Sequence, residues 1–116
     1  MKMTDKEIVV DAYDAYNTRD IDRLLGYLSE DVSWPDGDKR LHGREAVKNY
    51  WLNQWTQTQT HDTPTDVIVL PDGRVNVRLD QVIHRIDGSE LSRSSFEYLF
   101  ELRDGLIVRM DITKEL

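Results

Sequence analysis

Apolar residues near the start of the chain recur at helical spacing. Ile8, Ala12 and Ala15 form one stripe with Val9, Tyr13 and Tyr16 beside it, which predicts a helix with a broad buried face that includes two phenols. Thr4 and Glu7 precede that run at the spacing where hydroxyl and carboxylate each satisfy an amide left free by the first turn. Asn17-Thr18-Arg19 ends the helix. Asp20 then caps a second one, with Ile21, Leu24, Leu25 and Leu28 as its apolar positions, before Ser29-Glu30-Asp31 stops it. A short strand bearing Val32 and Trp34 runs into a turn at Pro35-Asp36-Gly37 and a polar loop. A third helix opens at Gly43-Arg44-Glu45, and its Val47, Tyr50, Trp51 and Gln54 share one face. Two large rings and an amide on one stripe roof a cavity more readily than they fill a solid core.

The polar run from Thr56 to Thr65, with His61 inside it, reads as a loop rimming that cavity. From Asp66 the period becomes that of strands. Val67 to Leu70, Arg74 to Ile86, Glu90 to Leu102 and Leu106 to Thr113 are separated by Asp-Gly turns at Asp72-Gly73, Asp87-Gly88 and Asp104-Gly105, the pattern of an antiparallel meander. Phe96, Tyr98, Phe100 and Leu102 share one face and Glu97, Leu99 and Glu101 the other. The last strand sets Val108, Met110 and Ile112 against Arg109 and Asp111. On the long strand Val75, Val77 and Leu79 alternate in one phase and Val82, His84 and Ile86 in the other, so a bulge is expected near Asp80-Gln81. These elements give an α+β architecture, a cone-shaped fold with three N-terminal helices packed on a curved antiparallel sheet.

Composition narrows the function classes. A chain of 116 residues fits a single domain over 1–116. With 15 Lys and Arg against 22 Asp and Glu, its net charge of −7 repels phosphate backbones and anionic lipid heads, so neither nucleic acid nor membrane is an expected partner. The absence of Cys removes disulfides and thiolate chemistry. The N-terminal stretch lacks an apolar run of signal-peptide length, which makes a cytoplasmic location the expectation.

Among residues that could carry chemistry, Asp36 stands out as a lone carboxylate just past a Trp-bearing strand. Burial beside Trp34 and Trp51 would raise its pKa and make it a better base, whereas Pro-Asp-Gly is equally the composition of an ordinary turn. His84 is a candidate acid or proton relay and Tyr98 a candidate hydrogen-bond donor to a developing oxyanion. Tyr13, Tyr16, Trp34, Tyr50, Trp51, Phe96 and Met110 are the expected ligand-lining side chains, each with core packing as the plainer role. His42 and His61 share no ligand spacing, and no metal site is expected. No Gly-rich phosphate loop or nucleophile elbow occurs, so no cofactor is implied.

The order of these elements, with HGREAVKNYW opening the third helix and DGLIVRMDI closing the chain, resembles the nuclear-transport-factor-2-like superfamily in its SnoaL-like and ketosteroid-isomerase-like branch, over about Lys6 to Ile112. The resemblance implies a dimer paired through the sheet, with Glu97, Leu99, Glu101, Arg109 and Asp111 on the contact face. It also implies that Asp36 falls on the isomerases' catalytic base, since the segment from Asp20 to Asp36 is similar to theirs without gaps. Their first-helix phenol maps onto Ala12, with Tyr13 and Tyr16 as neighbours, and their second acid maps near Tyr98 or Glu97. The expected function is binding of a small hydrophobic or aromatic ligand, either with isomerase-, cyclase- or dehydratase-type proton transfer at a carboxylate base or as a non-catalytic binding or dimeric interaction module.

Overall fold

A computed structural model describes residues 2–116. Helix α1 spans Asp5–Asn17 and begins as its sequence dictates, with the Thr4 hydroxyl accepting from the Glu7 amide and the Glu7 carboxylate accepting from the Thr4 amide. Helix α2 is shorter than its apolar spacing implies, covering only Ile21–Gly26. Gly26, a poor helix former, closes it, and Leu28 opens strand β1, Leu28–Asp36, where it is fully buried. A tight hairpin leads to β2, Lys39–His42, and then to α3, Arg44–Gln57.

The next segment departs from expectation. The polar run read as a loop is most of β3, Thr58–Val69, paired along its length with β4, Val75–Arg85. Strands β5, Glu90–Arg103, and β6, Leu106–Glu115, complete a six-stranded sheet in the order β2-β1-β6-β5-β4-β3. The meander from β3 to β6 is antiparallel, but β1 lies parallel to β6, so the sheet is mixed. Chain connectivity forces that orientation: β1 enters from α2 beside the last strand, where the Ile107 amide donates to the Tyr27 carbonyl at 2.8 Å. Helix α3 carries the chain from β2 at one edge to β3 at the other, leaving all three helices against one face of a curved, unclosed sheet.

The curvature has local causes. Register shifts fall at Pro64/Asp66 in β3, at Ile83/His84 between β4 and β5, and at Glu97/Tyr98 and Glu101/Leu102 between β5 and β6. None falls at Asp80-Gln81, which pair regularly with Ser95 and Ser94. The apolar phase of β4 changes because Gln81, a polar residue, occupies the next inward position, while Val82 and His84 point to the opposite face. On β6 a shift around Val108 makes Ile107, rather than Val108, the inward side chain beside Met110. The core includes Ile8, Val9, Leu24, Leu28, Val32, Val47, Val75, Val77, Leu79, Ile107 and Met110 with aromatic residues of the helices and β5.

Candidate functional site

Between the helices and the sheet the packing leaves a cavity of about 230 Å³. Its walls follow from the periodicities above: one face of α1 contributes Tyr13 and Tyr16, α3 contributes Tyr50, Trp51 and Gln54, and β1 contributes Trp34 and Pro35. Alternate residues of β5 and β6 add Phe96, Tyr98, Phe100, Met110 and Ile112. The rings brace one another edge-on, Trp34 against Trp51 at 5.1 Å and Tyr13 against Phe100 at 5.9 Å between centroids. Ile112, 49% exposed, marks the open side. The cavity is therefore bordered by all seven side chains expected to line it, and by Tyr98.

Asp36 and His84 are placed elsewhere. Asp36 is exposed at the end of β1, paired with Lys39 across the hairpin; its neighbour Pro35 borders the cavity and it does not. The turn chemistry of Pro-Asp-Gly accounts for that position, with Gly37 at φ +62° closing the hairpin. His84 is half-buried on the far side of the sheet, outside the cavity wall.

The carboxylate inside the cavity is Asp62 on β3. It is 6% exposed, and burial raises its pKa from 3.8 to about 6, against the opposing effects of a hydrogen bond from Gln81 and the charges of His61 and Arg19. The Gln81 amide, directly across the β3–β4 ladder, donates to Asp62 Oδ1 at 3.0 Å. Strand β3 is the sheet edge, so the backbone of Asp62 has no strand on its other side. Asn17, at the last turn of α1, takes that place: its Nδ2 donates to the Asp62 carbonyl at 2.7 Å, and its Oδ1 accepts from the Asp62 amide at 2.9 Å. Helix and edge strand are thus pinned together at the residue that carries the charge.

Three phenols face this carboxyl across a low-dielectric space. Burial, reinforced by the charge on Asp62, pushes the Tyr16 hydroxyl up to about 12 and those of Tyr13 and Tyr98 well above their ordinary value. All three are hydrogen-bond donors at neutral pH. Tyr16 uses its proton on Gln54 Oε1 at 2.8 Å, whereas the buried Tyr13 hydroxyl has no partner among the described residues. The arrangement joins a carboxyl that ionises near neutrality with phenols that keep their protons, a combination suited to moving a proton beside an oxygen that gains negative charge.

Sequence reasoning missed Asp62 because the inward positions of β3 are Thr60 and Asp62, which carry no apolar signal. The available clue was the alternation of Thr58, Thr60, Asp62 and Pro64, two of them β-branched, at the two-residue period of a strand. Among the described residues no group of three or more His, Asp or Glu could hold a metal ion, and no helix is long and apolar enough to cross a membrane.

The SnoaL-like domain family matches residues 9–110. No curated protein gives a significant match. Among solved structures, an NTF2-like protein of unknown function from Burkholderia pseudomallei is similar at a TM-score of 0.79 and 22% identity, covering 93% of this chain and 88% of that one. A hypothetical protein with a ketosteroid isomerase-like fold from Catenulispora acidiphila, in complex with trimethylamine, gives 0.80 at 18% identity over 95% of this chain and 86% of that one. TerC, co-crystallised with polyporic acid, gives 0.78 at 23% identity over 91% and 87%. At these identities the likeness is one of fold.

Proposed function

From the premise that this chain belongs to the SnoaL-like domain family, we propose that it binds a small, largely apolar molecule in the cavity and catalyses a proton transfer on it, as an isomerase, cyclase or lyase does. The observation that carries the reading is Asp62, a buried carboxyl raised to about 6 at the base of an aromatic cavity. Asp62, rather than Asp36, takes the part of general base, because a base must reach the hydrogen it removes and Asp36 is exposed outside the wall. Tyr98 is the hydrogen-bond donor to the developing oxygen charge in this reading, and His84 has no part. Small molecules held by two proteins of this fold, polyporic acid by TerC and trimethylamine by the Catenulispora protein, support the cavity as a ligand site by analogy.

A non-catalytic binding module is the second reading, favoured by the largely apolar wall. Exchange of α-hydrogens for deuterium in a panel of aryl ketones, followed by NMR in heavy water, separates the two. Catalysis predicts protein-dependent exchange that Asp62→Asn lowers by roughly 10²–10⁴ and Asp36→Asn leaves in place. Saturable binding of the same ketones with no accelerated exchange would leave the binding module standing and remove the catalyst.

A further inference from the structure

The cavity is walled by rings and holds one carboxyl that ionises near neutrality, a pairing that favours one class of ligand charge. Asp62 Oδ1 receives the Gln81 amide, whereas Oδ2 accepts from no described group and is not sealed from the surface. One oxygen of the carboxyl is therefore open to a donor arriving from outside. With a pKa of about 6, the group carries its negative charge at about pH 8.

Among the described residues no Lys, Arg or His borders the cavity to offset that charge. The two basic side chains whose charges reach Asp62, His61 and Arg19, stand outside the wall. The Arg19 guanidinium lies over the Tyr16 and Trp55 rings, 5.5 and 5.4 Å from their centroids, and donates to the Tyr16 carbonyl. His61 is exposed, on the face of β3 opposite Asp62. A carboxylate taken out of water without a counter-ion is unfavourable, and a cation set against it relieves that cost.

The rest of the wall suits a cation as well. Trp34, Tyr50, Trp51, Phe96 and Tyr98 supply aromatic surface, which attracts an organic ammonium electrostatically and accepts its hydrocarbon part. The protein already holds one cation in this way, at Arg19. Burial, and then the charge of Asp36, raise the Tyr50 hydroxyl, which puts a second, exposed carboxylate near the wall. An anion would meet donors in Gln54 and Tyr98 but no positive charge, inside a chain that carries −7. A neutral ligand would leave the charge of Asp62 unanswered.

We propose that the cavity takes a protonated aromatic amine, whose ammonium donates to Asp62 Oδ2 while its hydrocarbon part lies among the rings. The proposal rests on the reading of the cavity as a ligand site and holds for either function given above. Because the cavity is open beside Ile112, the entering end of the ligand is specified and its length is not.

Calorimetry with four phenyl compounds of similar size tests it: phenethylamine as the cation, phenethyl alcohol as the neutral donor, benzylacetone as the neutral acceptor and hydrocinnamate as the anion. At about pH 8 the amine should bind about tenfold or more tighter than the alcohol, the worth of a charge-assisted hydrogen bond, with hydrocinnamate weakest. That preference should fade as pH falls through about 6 and be nearly gone by about pH 4.5, because Asp62 takes up a proton while the amine keeps its own. The other groups around Asp62 do not follow this course: the phenols of Tyr13, Tyr16, Tyr50 and Tyr98 stay neutral and Arg19 stays charged. Asp62→Asn retains all of them, and His61, so it should abolish both the preference and its pH dependence and keep the affinity for the alcohol. A preference that survives in Asp62→Asn belongs to the net charge of the chain and overturns the proposal. So does equal binding of amine and alcohol at about pH 8, or tightest binding by benzylacetone or hydrocinnamate, and in each of these cases the cavity remains a ligand site. The pH series on the unmodified protein decides without the variant, since a preference unchanged between about pH 8 and about pH 4.5 also overturns the proposal. Failure of all four compounds to bind overturns the underlying reading as well.

Discussion

Replacing Asp62 with Asn isolates the energetic consequence of burying that carboxyl. Its pKa is raised from 3.8 to about 6, so the native state holds the proton more tightly than the unfolded chain does. The group therefore contributes stability that is fully present below about 3.8 and lost as pH rises through about 6. The rise from 3.8 to about 6 corresponds to about 3 kcal/mol. With an unfolding entropy of roughly 2.1 cal/mol/K per residue, that is a melting-temperature change on the order of 10 °C for a chain of this length. Asn is close in shape, can accept the Gln81 hydrogen bond and does not ionise. The difference in Tm between Asp62→Asn and the unmodified protein, followed by calorimetry from about pH 4 to about pH 8, should move by roughly that amount in favour of the variant. Any constant cost of the substitution cancels in the comparison, as do titrations common to both proteins. A difference that stays flat across this range would show that the carboxyl is not held at a raised pKa, and the argument for Asp62 as a base would lose its foundation.

Other consequences can be checked separately. Asn17→Ala should cost about 1–3 kcal/mol in urea unfolding, because it leaves the amide and carbonyl of Asp62 without their partner. It should also draw the Asp62 pKa down toward 3.8 as water reaches the strand edge, a shift readable by carboxyl NMR and absent if Asn17 only braces the helix. For assembly, we propose a homodimer through the sheet face opposite the cavity, where Leu99 pairs with Asp111 and Glu101 with Arg109 on neighbouring strands. Sedimentation at tens of micromolar should show a dimer that Leu99→Arg dissociates, and a monomer throughout would count against that contact.

Much of the scaffold was legible because its elements announce themselves locally. The Thr4–Glu7 capping box and the stripe from Ile8 to Tyr16 fix α1, and the alternation through Phe96, Tyr98 and Phe100 orients β5, without reference to any other segment. The cavity wall was legible for the same reason, since rings at one face of a helix or strand share an environment. What depended on distant pairing was not: nothing within Leu28–Asp36 records that its neighbour will be β6, lying parallel. Strand β3 was hidden by its composition. Its buried inward residues, Thr60 and Asp62, are polar, and a pattern search for buried strands looks for the opposite. The carboxylate most visible in the sequence, Asp36, owed its prominence to turn residues, and a turn is what those residues made.

The open sheet has two free edges, and each bears on how the protein avoids polymerising. An unpaired edge offers a row of amides and carbonyls to any passing strand. Here β2, at one end, is four residues long, too short a template to recruit a neighbour. At the other end β3 is longer, but it is interrupted three ways: Asn17 occupies the amide and carbonyl of Asp62, Pro64 has no amide to offer, and the register shift between Pro64 and Asp66 breaks the spacing a docking strand would need. The contacts that hold the buried carboxyl in place thus also cap the sheet, so a change at Asn17 that disturbs the site should at the same time uncover an aggregation-prone edge.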